Sequence, residues 1–249
     1  SLPIYNSDAG YKTLKERLQE KSPADNTLDN KSTLLKMLAM LGAIAVLLFG
    51  LFFFFGNQEE ELKAEPGQIM NYAFQDGSEV WLNAGSSIKY QISDWSTQRS
   101  IDLEGEALFK VSKGSPFTVN TPNGIITVLG TQFNVRGWGG NLSVECYEGK
   151  VQVKSGDQLT VLTANEGVSI IEGSMNENQV INNSSPSWKN GTSRFYNEKI
   201  RIVCDELERQ YQISIDLNAI DRLFSGSFKH NDLNLALRSI CKPLDLSYS

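Results

Sequence analysis

The longest uninterrupted apolar stretch of the chain runs from Met37 to Gly56, twenty residues without a charged or strongly polar side chain. At about 1.5 Å rise per residue, an α-helix of this length is roughly 30 Å long, which matches the hydrocarbon core of a bilayer. A core helix of a soluble protein would keep a polar face, and a signal peptide would have a shorter apolar stretch that ends in small residues. The pattern therefore predicts a transmembrane helix over 37–56.

Charged residues on the two sides of this stretch predict its orientation. Lys21, Lys31 and Lys36 precede it, and three glutamates, 59–61, follow it. Lys and Arg near the end of a span stay on the cytoplasmic side, so we expect a single-pass protein with a cytoplasmic N-terminus. Residues 37–249 carry 17 Lys and Arg against 24 Asp and Glu, a net charge of −7. This negative charge gives no electrostatic support for direct binding of nucleic acid.

Residues 7–21, before the span, have the pattern of a short amphipathic helix. Tyr11, Leu14 and Leu18 fall on one stripe at the spacing i, i+3, i+7, and charged residues cover the other faces. A helix this short is marginal alone, so two interpretations stay open: a frayed tail, or a helix that folds on a partner. We assign 1–30 to a cytoplasmic helix and linker.

Short alternating runs dominate the chain after an acidic tether at 57–66. A hairpin signal surrounds Asp76-Gly77, and 101–111 alternates through Gly105, where we expect a bend. The further alternating runs are 117–119, 125–129, 133–135, 142–146, 151–153, 159–162 and 168–171. Many short strands without a helical period predict an all-β domain over 67–171, either solenoid-like or a rolled sandwich.

The pattern changes again near the C-terminus. Residues 172–194 are rich in Asn, Ser and Gly, as in a linker. Over 195–249 the spacing of apolar residues changes between a helical period of 3.6 and a strand period of two. Helical stripes lie at 200–211 and 233–240, and strand-like runs lie at 213–215, at 223–228 and from Leu244. The predicted order is βαββαβ, a small α+β domain.

Four motifs within the all-β region carry a family resemblance. They are DGSEVWLNAGSSIKY at 76–90, RSIDLEGEALFKV at 99–111, PFTVNTPNGIITVLGTQFNV at 116–135 and YEGKVQV at 147–153. With these motifs in order, residues 67–171 resemble the periplasmic domain of the FecR family of transmembrane sigma-factor regulators.

The flanking segments resemble the neighbours of that domain. Residues 195–249 are similar to the secretin/TonB short N-terminal-like domain that often follows it, and 8–18 resemble the end of the family's cytoplasmic anti-sigma region. Two departures stand out: most of the anti-sigma region is absent from this sequence, and the chain stops at Ser249, before a final strand that we would expect.

The resemblance implies a signalling role across the bacterial inner membrane. In the family, the cytoplasmic part holds an extracytoplasmic-function sigma factor, and the periplasmic part meets the signalling domain of a ligand-loaded TonB-dependent outer-membrane transporter. Regulated proteolysis then releases the sigma factor. For this chain the resemblance implies an anti-sigma factor in iron or carbohydrate uptake, and the stripe of Tyr11, Leu14 and Leu18 is the candidate sigma-factor contact.

An alternative function is a membrane-anchored protein that binds or hydrolyses glycans. Glu104 and Glu106 lie two apart on one predicted strand, and a glycosidase needs paired carboxylates. However, an alternating strand places both on its solvent face, where charged residues are usual. The four tryptophans could stack on sugar rings, but they are scattered along the chain, which favours packing: Trp81, Trp95, Trp138 and Trp188. A secretion-assembly module is a further rival, because secretins use related small domains.

The bond between Gly130 and Thr131 is a candidate site of self-cleavage. A threonine hydroxyl can attack the preceding carbonyl when the peptide is strained, and glycine best permits such strain. Some FecR-family members are said to cut themselves at a Gly-Thr bond. The alternative is a tight turn between strands with a buried threonine.

Cysteine and histidine usage predicts neither a metal site nor a cofactor. Cys146, Cys204 and Cys241 are widely spaced and odd in number, and His230 is the only histidine. Cys204 and Cys241 fall on apolar stripes, where buried thiols are common, and a bridge between them stays open. We therefore expect no catalytic centre apart from the candidate self-cleavage bond.

Overall fold

A computed structural model describes residues 7–20, 27–56, 59–93, 95–176, 178–217 and 221–248. The chain divides into two compact units, residues 1–56 and residues 57–249. Each unit is described by itself below.

The first unit consists of two helices, α1 (Ser7–Glu20) and α2 (Thr27–Gly56). Within α2, Lys31–Leu51 has a mean hydropathy of 2.4 and no buried residue, and it is the one described helix that is long and apolar enough to cross a membrane. The predicted helix is confirmed, but it begins ten residues before Met37, within the segment 1–30 that was assigned to the cytoplasmic helix and linker.

The second unit begins with fourteen strands. They are β1 (Glu59–Lys63), β2 (Met70–Ala73), β3 (Glu79–Leu82), β4 (Ser87–Gln91), β5 (Arg99–Lys110), β6 (Phe117–Thr121), β7 (Gly124–Val128), β8 (Gln132–Gly137), β9 (Leu142–Glu148), β10 (Lys150–Ser155), β11 (Gln158–Thr163), β12 (Glu166–Ile171), β13 (Ser174–Met175) and β14 (Gln179–Val180). The alternating runs of the sequence are therefore strands, as predicted.

Two layers of sheet share the long strand β5. Its first half pairs with β4 and with β6, in parallel with the latter, and its second half pairs with β3 and β8. One layer continues through β6, β7, β10 and β11, and the other through β8, β9, β12 and β13. A single apolar core fills the space between them, and its largest fully buried side chains include Phe109, Phe117 and Phe133. The described strands form a nearly closed sheet, which confirms the predicted all-β domain.

The bend predicted in β5 is at Gly105. Its φ of +114° is a conformation that residues with a side chain rarely adopt, and an added Cβ would lie 2.5 Å from the Ser86 Oγ. Glycine is required here because the strand passes from one layer to the other against the backbone of its neighbour.

The acidic tether predicted at 57–66 is wrong for most of its length. Residues 59–63 form the edge strand β1, which pairs with β4 in antiparallel register. Leu62 and Ala64 are buried in the core, and the Tyr90 hydroxyl donates to the Glu60 carboxylate at 2.5 Å. The sequence concealed the strand because charged residues are usual on the exposed positions of a sheet edge.

Residues 172–191 also differ from the linker that was expected there. They contain β13 and β14, which pair with β12, and a 3-10 turn at Ser187–Asn190. Trp188 in this turn is buried against Leu108 and Tyr147. The segment is polar because most of its residues face solvent, yet its one large aromatic residue anchors it to the β domain.

The C-terminal module has the order βαβα, with β15 (Thr192–Lys199), α3 (Ile200–Tyr211), β16 (Leu223–Lys229) and α4 (Leu233–Cys241). Asp232 caps α4, because its side chain accepts from the Leu235 N–H. The helices pack on the two-stranded β15–β16 sheet around Phe195, Phe224 and Phe228.

Two strands predicted in this module are absent from its described residues. Ile213 and Ile215 pack against the core, but the Ile215 N–H donates to the Glu208 carboxylate instead of to a neighbouring strand. Lys242–Leu244 forms a 3-10 turn, in which Pro243 has no N–H to give to a ladder. Alternation of apolar residues predicted burial correctly but not strand pairing.

Candidate functional site

A buried polar cluster joins the β domain to the C-terminal module, and we call it the seam. Its members are Asn83, Glu106 and Asn134 from the β domain and Ser193, Glu206 and Gln210 from the C-terminal module. All six side chains are buried, at 8% exposure or less. Buried polar groups persist when they are hydrogen-bonded, so the partners of each decide what the seam does.

Glu206 is the acceptor on the module side. Its Oε1 accepts hydrogen bonds from the Ser193 hydroxyl and from the Gln210 amide, each at 2.9 Å. Its Oε2 accepts hydrogen bonds from the Arg209 Nε at 3.1 Å and from the Arg209 Nη2 at 2.7 Å. Residues 206, 209 and 210 are one turn apart on α3, so a single helical face supplies the carboxylate and two of its donors.

Glu106 is the corresponding carboxylate of the β domain. Its Oε1 accepts from the Asn134 amide at 2.9 Å, and its Oε2 accepts from the Asn83 amide at 3.0 Å. The Asn134 Oδ1 accepts from the Trp188 indole N–H at 3.3 Å, which fixes the direction of the Asn134 amide. Burial of Trp188 therefore orients a donor toward Glu106.

Asn83 connects the two carboxylates. Its amide also lies 3.4 Å from the Glu206 Oε1, and its Oδ1 accepts from the Gln210 amide at 2.9 Å and from the Ala84 N–H at 2.8 Å. One asparagine at the end of β3 therefore contacts both sides of the seam. A second link is the backbone hydrogen bond from the Gly67 N–H to the Arg209 carbonyl, at 2.9 Å.

Charged side chains border the seam. Arg136 on β8 forms an ion pair with Glu198 on β15 at 3.0 Å, and this pair also crosses between the modules. The Arg209 guanidinium lies 4.3 Å from the centre of the Trp138 ring, within the range of a cation–π contact. The two arginines therefore lie beside the seam, one next to each buried carboxylate.

The two buried glutamates have opposite shifts in pKa. Burial raises the pKa of Glu106 to about 7, and the charge of Glu206 adds to this effect, while Arg136 and the two asparagine amides oppose it. Burial also acts to raise the pKa of Glu206, but Arg209, Gln210 and Ser193 outweigh it and hold that pKa below its usual value. Glu106 is therefore the carboxyl of the pair that takes up a proton first.

Ser193 and His230 make a contact that resembles part of a catalytic triad. The Ser193 Oγ lies 2.9 Å from the His230 Nε2, but the same hydroxyl donates to Glu206. In a triad the carboxylate binds the histidine, which then takes the serine proton, so this order does not activate a nucleophile. Burial lowers the pKa of His230, against the opposing charge of Glu206.

The sequence predicted that Glu104 and Glu106 both face solvent, and this prediction is wrong for Glu106. Glu104 is exposed, whereas Glu106 is buried beneath α3. The strand changes its partners at Gly105, and the second module covers the face that alternation assigns to solvent. The two carboxylates do not face one open cleft, so they do not form the paired acids of a glycosidase.

The candidate cleavage bond is in the turn between β7 and β8. Thr131 is buried, and its hydroxyl donates to the Lys150 carbonyl at 3.0 Å. An added Cβ at Gly130 would lie 2.9 Å from the Lys113 Cα, so the neighbouring chain requires glycine at this position. These contacts fit the alternative of a tight turn with a buried threonine.

The candidate sigma-factor contacts are on α1. Tyr11 and Leu14 are exposed, at 73% and 58%, and Leu18 lies in the same helix, although its side chain is outside the described residues. Two large apolar side chains are therefore free for a partner.

Tryptophans and cysteines serve packing. Trp95 and Trp188 are buried, and Trp81 lies beneath the Lys189 ammonium, 3.7 Å from the ring centre. Cys146, Cys204 and Cys241 have free thiols, and burial raises the pKa of Cys204 to about 11. Within the described ranges, His, Cys, Asp and Glu side chains do not group into a cation site.

The seam was missed by sequence reasoning, although one signal pointed to it. The alternation of Val80 and Leu82 continues at Ala84 in the sequence LNAG, so the polar Asn83 lies between two apolar positions of the core face. Glu206 and Gln210 lie among the polar residues of an amphipathic helix, so nothing in the pattern separates them from solvent-facing positions.

Comparisons with known proteins point to one family. The sequence model of the FecR family, described as FecR protein, matches residues 60–152, from β1 into β10. Two solved structures of a proposed anti-sigma factor from Parabacteroides distasonis ATCC 8503, at 2.50 and 1.65 Å resolution, are similar to this chain, with TM-scores of 0.71 and 0.70. They are 26% and 27% identical and cover 77% and 76% of this chain and 94% of their own. No curated protein matches it. The comparisons therefore identify residues 60–152 as a FecR-like domain.

Proposed function

We propose that this protein regulates a sigma factor from the membrane. The observation that carries the proposal is the FecR match over residues 60–152, in a chain whose fold covers most of two solved structures of a proposed anti-sigma factor. The apolar helix Lys31–Leu51 before this domain supports a membrane anchor.

In finer terms, we place the protein in the bacterial inner membrane with α1 in the cytoplasm and the second unit in the periplasm. Lysines before the span and glutamates after it support this orientation. On the cytoplasmic side, α1 contacts an extracytoplasmic-function sigma factor. On the periplasmic side, the second unit receives the signalling domain of a TonB-dependent transporter for iron or carbohydrate uptake, and regulated proteolysis then releases the sigma factor.

A single helix limits how such a signal can cross the membrane. Lys31–Leu51 is the one candidate span among the described residues, so we infer that information crosses as a change in partner binding, clustering or cleavage. The C-terminal module offers a surface for the outer partner. Tyr196 on β15 is 88% exposed, and a partner strand could add to an open edge of the β15–β16 sheet.

The sigma-factor contact is tested by co-purification. The full chain in detergent is used to capture extracytoplasmic-function sigma factors of the same organism, with Leu14→Asp as the disrupting variant and Lys15→Asp as the control at the next position. We expect Leu14→Asp to lose capture because it places a charge on the apolar stripe. Equal capture by both variants would remove α1 from the interface, and absence of capture by the wild type would refute the proposed sigma-factor contact.

The outer contact is tested by binding of the transporter's signalling domain. We expect Tyr196→Ser to weaken binding about tenfold, because an exposed aromatic residue at an interface contributes more than 1 kcal/mol. Leu129→Ser, an exposed apolar position at 61% on the β domain, is the control and should bind as the wild type does. The opposite pattern would move the contact to the β domain.

A further inference from the structure

The seam and the ion pairs that border it carry more negative than positive charge. Glu106, Glu198 and Glu206 supply three carboxyl groups, and Arg136 and Arg209 supply two guanidinium groups. When all are ionised, one negative charge is in excess in a region where Glu106 and Glu206 are buried. A buried unbalanced charge is costly, and one bound proton would remove it.

The excess charge lies across the junction of the modules. Glu106 belongs to β5 and Glu206 to α3, and between them is the Asn83 amide, at 3.0 Å from one carboxylate and 3.4 Å from the other. An amide donates to both but carries no charge, so it does not cancel their repulsion. Like charges that face each other across a contact favour its opening.

Other ionisable groups around Glu106 do not remove this repulsion. Arg136 on β8 attracts Glu106 but is also paired with Glu198, and Arg209 is held by both of its nitrogens at Glu206. Tyr147 on β9 interacts with Glu106 and donates to Glu145. His230 reaches the seam only through Ser193. Glu106 is the group whose protonation balances the charges.

We propose that Glu106 is a proton-binding site that controls how firmly the C-terminal module is docked on the β domain. With a proton on Glu106 the seam is neutral and the two modules move as one body. Without the proton, Glu106 and Glu206 repel each other and the seam opens more often. This property concerns the second unit alone and does not depend on which partners bind at either end.

The size of the effect follows from linkage. Glu106 has a pKa of about 7 in the closed seam, and an exposed glutamate has a pKa of 4.5. The closed form holds the proton of Glu106 more tightly than the open form does, so low pH favours the closed form. This preference decreases as the pH rises from 4.5 to about 7, because the open form then loses its proton before the closed form does. Opening should therefore become about tenfold more frequent between pH 6 and pH 8.

Hydrogen exchange of the full chain in detergent micelles measures this opening. The reporter is the Gly67 amide, whose hydrogen bond to the Arg209 carbonyl crosses the seam. Rates are corrected for the intrinsic effect of pH, and Glu104→Gln, the same substitution at an exposed position two residues away, is the control. We expect the Gly67 amide to exchange about tenfold faster at pH 8 than at pH 6 in the wild type and the control. A pH-independent rate in the wild type would overturn the proposal.

Two variants assign the effect to Glu106. Glu106→Gln removes the titration, and its Gly67 exchange should not change between pH 6 and pH 8; a retained tenfold change would refute the assignment. Should this variant fail to fold, Glu198→Gln decides. This substitution frees Arg136 to pair with Glu106, which lowers the pKa of Glu106. The pH at which Gly67 exchange becomes faster should therefore decrease, and an unchanged pH would contradict the proposal.

Discussion

The Gln210 amide donates to the Asn83 Oδ1 at 2.9 Å, a contact between residues 127 positions apart in sequence. Gln210 is on α3 of the C-terminal module, and Asn83 follows β3 of the β domain. Because Asn83 also donates to Glu106, a shift of α3 would disturb hydrogen bonds inside the β domain. Asn83 therefore links the hydrogen bonds of the two modules.

Loss of Glu206 should destabilise the second unit strongly. Glu206→Ala removes the acceptor of Ser193, Gln210 and Arg209 and leaves the Arg209 guanidinium unpaired beside the seam. Breaking a fully buried ion pair costs about 3–5 kcal/mol, and because Arg209 is 19% exposed the cost here is about 2–3 kcal/mol. We expect a loss of this size in the free energy of unfolding, measured by urea denaturation of the full chain in detergent.

Asp205→Ala is the matched control for this variant. Asp205 is the preceding residue on α3, but it is exposed and pairs with Arg201 at the surface. Such a pair contributes between zero and about 1 kcal/mol. Equal losses for the two variants would show that the seam adds no stability beyond that of a surface ion pair.

Gly105 should tolerate no side chain. Gly105→Ala would place a Cβ 2.5 Å from the Ser86 Oγ and 2.8 Å from its Cα, in a backbone conformation of φ +114°. Gly156→Ala also has positive φ, at +55°, but has open space around the Cβ, so it isolates the conformational cost of about 1 kcal/mol. We expect Gly105→Ala to lower the free energy of unfolding by at least 2 kcal/mol more, on the order of an overpacked core. A similar loss in both variants would show that Ser86 moves away freely.

The elements that the sequence predicted well are those whose own side chains decide their structure. The span is apolar on every face, and β6, β7, β9 and β10 largely alternate because one face of each meets the core. These patterns depend on local burial, so periodicity reveals them.

The features that the sequence did not predict have structures that depend on residues far away in the chain. Glu60 is ordered by Tyr90, Glu106 by Asn134 and Asn83, and Glu206 by donors on two modules. A charged residue in an edge strand or a seam has the same local pattern as one in solvent. Tertiary packing, and not periodicity, decided where those carboxylates lie.

The ion pair of Arg99 and Asp76 should contribute to the decrease in the free energy of unfolding at low pH. The two side chains are 2.8 Å apart, and Arg99 is only 5% exposed. Burial acts to raise the pKa of Asp76, but hydrogen bonds from Arg99 and Ser78 outweigh it and lower that pKa below 3.8. A group with a depressed pKa stabilises the fold above its unfolded pKa, and the contribution is lost as the pH falls through the folded value.

Arg99→Met tests this contribution. It should reduce the free energy of unfolding by about 2–3 kcal/mol at pH 7, a value below that of a fully buried pair because Asp76 is partly exposed. The difference from the wild type should shrink as the pH falls below the ordinary pKa of 3.8 toward the depressed pKa of the folded wild type, because Asp76 then loses the charge that Arg99 stabilises. Urea titrations at pH 3, 4 and 7 measure it, with exposed Arg194→Met as the control. A difference that stays constant with pH would attribute the loss to packing against Phe117 instead.

The Thr131 hydroxyl has either a structural role or the role of a nucleophile that cleaves the Gly130–Thr131 bond. For self-cleavage, the Thr131 Oγ must attack the Gly130 carbonyl, forming an ester that water then hydrolyses. Here the hydroxyl donates to the Lys150 carbonyl at 3.0 Å, which engages its proton with a backbone acceptor. We therefore expect purified wild type and Thr131→Ala to have the same full-length mass, with the variant less stable by about 1 kcal/mol for the lost hydrogen bond. Thr131→Ser keeps the hydroxyl and should recover most of that stability. Two wild-type fragments that separate between Gly130 and Thr131, absent from Thr131→Ala, would assign the hydroxyl a chemical role and reverse this prediction.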